Sequence, residues 1–300
     1  MKIYIQDHAS HAGKWIYDGY AHAWAYLDYE VKFINDLSEV KMNEDYKLFI
    51  CDSKVTQNNL HIVKNSVKTY LYVQPNSFPK PWGEHPNFQC SLQDELINHL
   101  NNLNNVIKWN FASSFPYHSK WKNIVSAPLA FDDINYNHEI PNSFDYDVCF
   151  IGGMADNGFN EKVIIMQETL NYFITNSGLK CAFAVGRNLS HEQENHILLR
   201  SKVALNIHDA YQRHVGLDTN ERTFKSLGCT GILISDDIQQ AKDLFCFSFF
   251  SNDLQKSVEE AKRICSLKDN DLIEIKKHNQ RTILRKHTYV NRVQQLLSLK

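Results

Sequence analysis

Arg222 and Lys225 stand three residues apart on a segment of helical pattern, a spacing that turns two side chains toward one face. Two cations placed in this way could hold a diphosphate together. Arg213, in the loop before them with Gly216, adds a third positive charge, and Arg187, next to Gly186, is either a further phosphate contact or a solvated loop arginine. Just ahead of Arg222, Asp218, Thr219 or Asn220 can cap the helix by accepting a backbone N–H, which leaves Glu221 in the first turn. A carboxylate there either complements the helix dipole or accepts hydrogen bonds from two ribose hydroxyls. His208 and Asp209 end an apolar, strand-like run, and Gly152 and Gly153 follow another, where the lack of a side chain lets the backbone approach a ligand. The chemistry implied is the binding of a phosphorylated small molecule at helix N-termini and loops along one edge of a sheet.

Asp7, His8 and His11 form a second group, on the loop 7–13 between an apolar strand and a helix. There they could act as a general base or contact a leaving group, or be structural. His191 and His196 are five apart and cannot share a helix face as zinc ligands at i and i+4 do, so their stretch reads as a solvated helix. The run 152–158 holds no complete G-x-G-x-x-G, and no Walker-type G-x-x-x-x-G-K-[ST] occurs anywhere, which disfavours a dinucleotide cofactor and P-loop hydrolysis. Asp269 and Asp271 have D-x-D spacing but lie in a helical region far from any glycine loop, and read as helix capping.

The elements that must position these residues alternate in the α/β manner. Apolar runs predict strands over 2–5, 31–34, 47–51, 69–73 and 106–109, with a helix between the first two whose apolar positions Ile16, Tyr20, Ala23, Trp24 and Leu27 keep a 3.6-residue period. A loop rich in proline and aromatic residues covers 76–86, and a polar, unpatterned stretch between 128 and 144 marks a domain linker. Strands then resume over 147–151, 180–185, 202–207, 231–234 and 247–250, with helices over 161–171, 254–265 and 271–282 and an amphipathic helix over 288–297. Each half reads as its own open parallel sheet, and 300 residues with 43% hydrophobic content suffice for two cores. The net charge of −2 argues against a surface built chiefly to capture nucleic acid, and seven scattered cysteines without a C-x-x-C pair read as reduced thiols. No apolar run approaches the length of a membrane span, so the expected location is the cytoplasm.

Taken in order, the segments 127–132, 146–153 and 205–208, then Arg222-Thr223-Phe224 running to Gly231 and Ser235-Asp236, and finally 287–292, resemble the GT-B glycosyltransferases, and within them the CgeB-like (spore-maturation) group of bacterial and phage sugar transferases. The first half is similar through 19–24 and 29–31. The resemblance implies two Rossmann-like domains facing a cleft: 1–130 for the acceptor, a linker over 131–145, and 146–285 for the donor, with a helix over 286–300 crossing back to the N-terminal domain. It implies a nucleoside-diphosphate sugar as co-substrate, no cofactor or metal, and retention of configuration. Gly152, Gly153, Arg187, His208, Arg213, Asn220, Glu221, Thr223 and Lys225 would bind the donor, and Asp7, His8, His11 and Arg222 would be catalytic. The acceptor would be a glycan, protein, lipid or modified DNA base. Lys225 stands where many relatives place a ribose-binding glutamate, so either Glu221 replaces it from the preceding turn or donor choice differs. A GT-B-fold nucleotide-sugar 2-epimerase and a non-catalytic sugar-nucleotide-binding relative are the alternatives.

Overall fold

The computed structural model describes residues 1–84, 88–153 and 162–299, and the side chain of His11 lies outside the described set. The chain divides into two compact units, Met1–Pro128 with Tyr289–Lys300, and Leu129–Thr288. Among the described residues no helix is long and apolar enough to cross a membrane.

In the first unit the strands β1 (Lys2–Gln6), β2 (Glu30–Ile34), β3 (Tyr46–Ile50), β4 (Lys68–Tyr72), β5 (Val106–Asn110) and β6 (Val125–Ser126) form one sheet in the order β2-β1-β3-β4-β5-β6, all parallel. The interior strands β3 and β5 are buried at every residue, as a parallel sheet covered on both faces requires. Helix α1 (His11–Tyr26) starts where Ser10 accepts the N–H of Gly13 and buries Tyr17, Tyr20, Ala23 and Trp24. The shorter helices α2 (Leu60–Asn65) and α3 (Asp94–Asn101) complete the crossovers.

The second unit repeats the plan. Strands β7 (Tyr146–Gly152), β8 (Cys181–Val185), β9 (Ser201–Asn206), β10 (Leu233–Ser235) and β11 (Phe249–Phe250) pair in parallel in the order β8-β7-β9-β10-β11. Between and after them run α4 (Lys162–Asn176), α5 (His191–Leu199), α6 (Ala210–Val215), α7 (Glu221–Thr230), α8 (Gln239–Leu244), α9 (Leu254–Cys265) and α10 (Asp269–Lys286). Asp269 and Asp271 lie in the first turn of α10, whose N-cap is Lys268, so they complement the dipole and do not cap.

In both sheets the first strand lies between the second and the third, so the strand order reverses beside it. The loops after β1 and β3 therefore leave in opposite directions and open a crevice at the C-terminal ends of the strands, and the matching switch of the second sheet lies between β7 and β9. The final helix α11 (Tyr289–Leu297) returns the chain to the first unit, where Gly19 on α1 leaves room for the Tyr289 ring and Arg292 donates to Pro128 O at 2.6 Å.

Candidate functional site

At the β7/β9 switch of the second unit the key side chain is Arg222, in the first turn of α7. Its guanidinium lies 5.0 Å above the Phe150 ring of β7 and donates to Ile207 O at 3.1 Å, just past β9. A Cβ built on Gly152 would sit 2.7 Å from Arg222 Nη2, so only glycine ends β7 without displacing the guanidinium. Among the described residues nothing lies within 4 Å of a Cβ built on Gly153. The rest of the expected glycine loop, 154–158, lies outside the described residues. Asn220 is the N-cap of α7, accepting the Thr223 N–H at 3.1 Å. Arg187 is exposed beside Gly186, whose N–H reaches Gly152 O at 2.8 Å, which puts it at the same edge.

A cation that sequence reasoning missed stands here as well. Lys162 opens α4 and pairs with Asp209 at 2.7 Å. Burial and the neighbouring charge of Arg222 lower its pKa, with Asp209 opposing. Arg222 and Lys162 both meet the segment that follows β9, one at Ile207 O and the other at Asp209, and two cations brought to one segment are arranged for an anion larger than one carboxylate. In sequence Lys162 is only a lysine at the start of the helix that follows Gly152 and Gly153.

His208 and Thr223, expected to bind donor, are instead fully buried. Asp236 receives the His208 backbone N–H at 3.0 Å and its Nδ1 at 2.6 Å, while Nε2 lies 2.6 Å from Thr219 Oγ1. Thr223 Oγ1 is 2.7 Å from Thr219 Oγ1 and takes an N–H from Asn206 at 2.8 Å. Burial raises the Asp236 carboxyl, but His208 and Arg213 outweigh it and hold the group below the usual carboxylate range. The network fixes the loops after β9 and β10. Arg213 sits at its margin, 3.6 Å from Asp236 and 3.3 Å from Asn252 Oδ1, and shares a small pocket with Asn206 and Ile207.

Lys225 is the clearest correction. Its ammonium is buried 2.8 Å from Glu194 and 3.6 Å from Glu221, over the Tyr136 ring, and Tyr136 Oη also donates to Glu194 at 2.9 Å. A lysine already committed to two carboxylates does not hold a diphosphate alongside Arg222. Helix α5, read as solvated, supplies the buried Glu194. Glu221 keeps its first-turn place; burial pushes its carboxyl up, Lys225 opposes this, and Glu194 adds to it.

In the first unit, the segments after β1, β3, β4 and β5 and the start of α1 line a pocket of ≈ 320 Å³. His8 lines it and stacks on Tyr17 at 5.7 Å, over Gly13, where a Cβ would collide with the ring. The Ser10 N–H reaches His8 Nδ1 at 3.1 Å, and a backbone N–H can only donate. The proton of the neutral ring is therefore on Nε2, and burial lowers the pKa of the ring, favouring that form. The Asp7 backbone N–H bonds Ile34 O at 2.8 Å, and His11 opens α1.

Residues 168–298 match a family described as glycosyl transferase-like. No curated protein matches the chain by sequence. Among solved structures the chain is similar to AviGT4, a glycosyltransferase involved in avilamycin A biosynthesis, at 9% identity and a TM-score of 0.57, over 99% of this chain and 96% of that one. It is similar to the DNA-modifying enzyme β-glucosyltransferase at 11% identity and a TM-score of 0.56, over 98% and 97%. It is also similar to TarM, at 11% identity and a TM-score of 0.53, over 93% of this chain; the chain spans 57% of TarM's length. The fold is that of the GT-B glycosyltransferases, as the two parallel sheets predict.

Proposed function

We propose that the protein is a glycosyltransferase of the CgeB-like group, working in the cytoplasm, which moves a sugar from a nucleoside-diphosphate sugar to an acceptor hydroxyl with retention of configuration. The observation that carries this reading is the convergence of Arg222 and Lys162 on the segment after β9, at Ile207 O and Asp209, with Arg222 beside Gly152. In it the donor diphosphate lies against these two cations, with Arg213 and Arg187 at the margins and Gly153 and the Asn220 cap close to its path. Glu221, rather than Lys225, accepts the ribose hydroxyls. As the bond to the sugar breaks, negative charge grows on the leaving diphosphate, and fixed cations stabilise that state more than the ground state, without a metal ion being required. The first unit's pocket holds the acceptor, with Asp7, His8 and His11 along the loop that borders it. The glycosyl transferase-like match over 168–298 and the GT-B fold support the reading.

The test is a panel of nucleoside diphosphates and their sugars. A ligand that binds only the folded chain raises its melting temperature by mass action, and turnover releases the free nucleoside diphosphate. A panel that neither shifts the melt nor yields nucleoside diphosphate overturns the proposal.

A further inference from the structure

The pocket beside His8 has a composition that selects among acceptors. Its volume, ≈ 320 Å³, is at the small end for ligand sites, enough for about one sugar ring. One part of the lining is aromatic: Tyr17, Tyr72 and Phe111, with Tyr72 and Phe111 5.0 Å apart and inclined by 45°. Flat apolar faces of this kind suit the C–H face of a pyranose.

The polar part carries one carboxylate and one ammonium, is otherwise uncharged, and is held in place. Gln74 donates to Asp52 Oδ1 at 3.2 Å and accepts from Ser53 Oγ at 2.6 Å, and the N–H groups of Cys51 and Asp52 both reach Gln6 Oε1, at 3.1 and 2.9 Å. Side-chain amides donate and accept at once, as a ring of hydroxyls does. His8 adds an Nε2–H donor because Ser10 occupies Nδ1. Among the described lining residues Lys54 is the one Lys or Arg, and Asp52 offsets it. A polyanion such as DNA needs several cations along its track.

We infer that this pocket is a subsite for one uncharged sugar ring, the terminal residue of a neutral glycan acceptor. The inference rests on the transferase reading for its role in catalysis, but the binding it requires stands on the lining alone.

Saturation-transfer NMR on the full chain tests it, with maltose, cellobiose and chitobiose as neutral probes and a duplex containing 5-hydroxymethylcytosine as the anionic one. At least one disaccharide should receive saturation, strongest on the C–H protons of one ring face. Phe111→Ala and Gln74→Ala should each weaken that binding about tenfold, with melting curves showing that both variants fold. Binding of the duplex and of no disaccharide, while nucleoside diphosphates still raise the melting temperature, overturns the subsite and leaves the transferase reading standing. Silence from every disaccharide and every nucleoside diphosphate overturns both.

Discussion

Arg222 is held by the Phe150 ring, Ile207 O and Asn206 Oδ1, contacts made at the ends of β7 and β9 rather than in the core of the sheet. Arg222→Ala should therefore leave the melting temperature near that of the parent. Turnover should fall about 10²- to 10³-fold, the usual cost of removing one group that stabilises developing charge. Kinetics beside a melting curve separate the two effects, and an unchanged rate removes Arg222 from the mechanism. His8 makes a sharper distinction. With Nδ1 engaged by Ser10, its free nitrogen is a donor, and the side-chain amide of glutamine places an N–H in a similar position. His8→Gln should keep activity within about tenfold of the parent, whereas loss of a general base costs about 10²- to 10⁴-fold. A loss of that size in the Gln variant would restore His8 as the base. Sequence placed Glu221 and Arg222 at the start of α7 and offered Asn220 as one of three caps, because capping and first-turn positions are local. It misplaced Lys225, because helical spacing gives direction but not depth: α7 is buried from Thr223 onward, and Glu194 meets Lys225 from 31 positions away. Lys162 was missed since one lysine at a helix start carries no pattern of its own.

At the scale of elements, the strands other than the two-residue β6 were legible, the interior ones because a parallel strand covered on both faces reads as an unbroken apolar run. The six-residue helices α2, α6 and α8 were not, being too short to show a period. Nor was the buried network behind the site, since His208, Asp236, Thr219 and Thr223 come from a strand end, two loops and a helix, and meet only once the sheet has formed. The geometry gives one element boundary a measurable role. β7 ends on Gly152 because the Arg222 guanidinium and the Phe150 ring occupy the space a side chain would need. Gly152→Ala should push the guanidinium aside by part of an ångström or more while the strand persists. A displacement near 1 Å costs about 10²-fold in rate. The expected result is a large fall in kcat with a small change in melting temperature. Near-parent turnover would mean that Arg222 need not sit where it does.

Over the whole molecule, two sheets of the same strand order are joined by a chain that leaves the first unit after Pro128 and returns at Tyr289, with Phe131 N–H bonded to His287 O at 2.8 Å inside the second unit. The helix before that return, α10, docks through buried polar side chains: Asn279 and Gln280 donate to Gly231 O and Gly228 O at the end of α7, and Lys276 Nζ donates to Ser201 O at 2.8 Å and Lys202 O at 3.0 Å, 4.6 Å from the Phe144 ring. Burial pushes the Lys276 ammonium from its ordinary 10.5 down to about 7, with Cys149 and Cys265 opposing. Between those two values the unfolded chain binds a proton that the folded chain does not, so this group makes stability rise with pH from about 7 to 10.5 and adds no slope below about 7. Lys276→Met removes the titration and two hydrogen bonds together. The lost bonds shift stability by an amount that does not vary with pH, so the slope is the readout. Melting temperatures of parent and variant, measured across this window, should diverge in the parent's favour as pH rises and run parallel below about 7. Curves that stay parallel throughout would show that Lys276 keeps its ordinary proton in the folded state, and that α10 docks with a charged lysine held by carbonyl dipoles and the Phe144 ring.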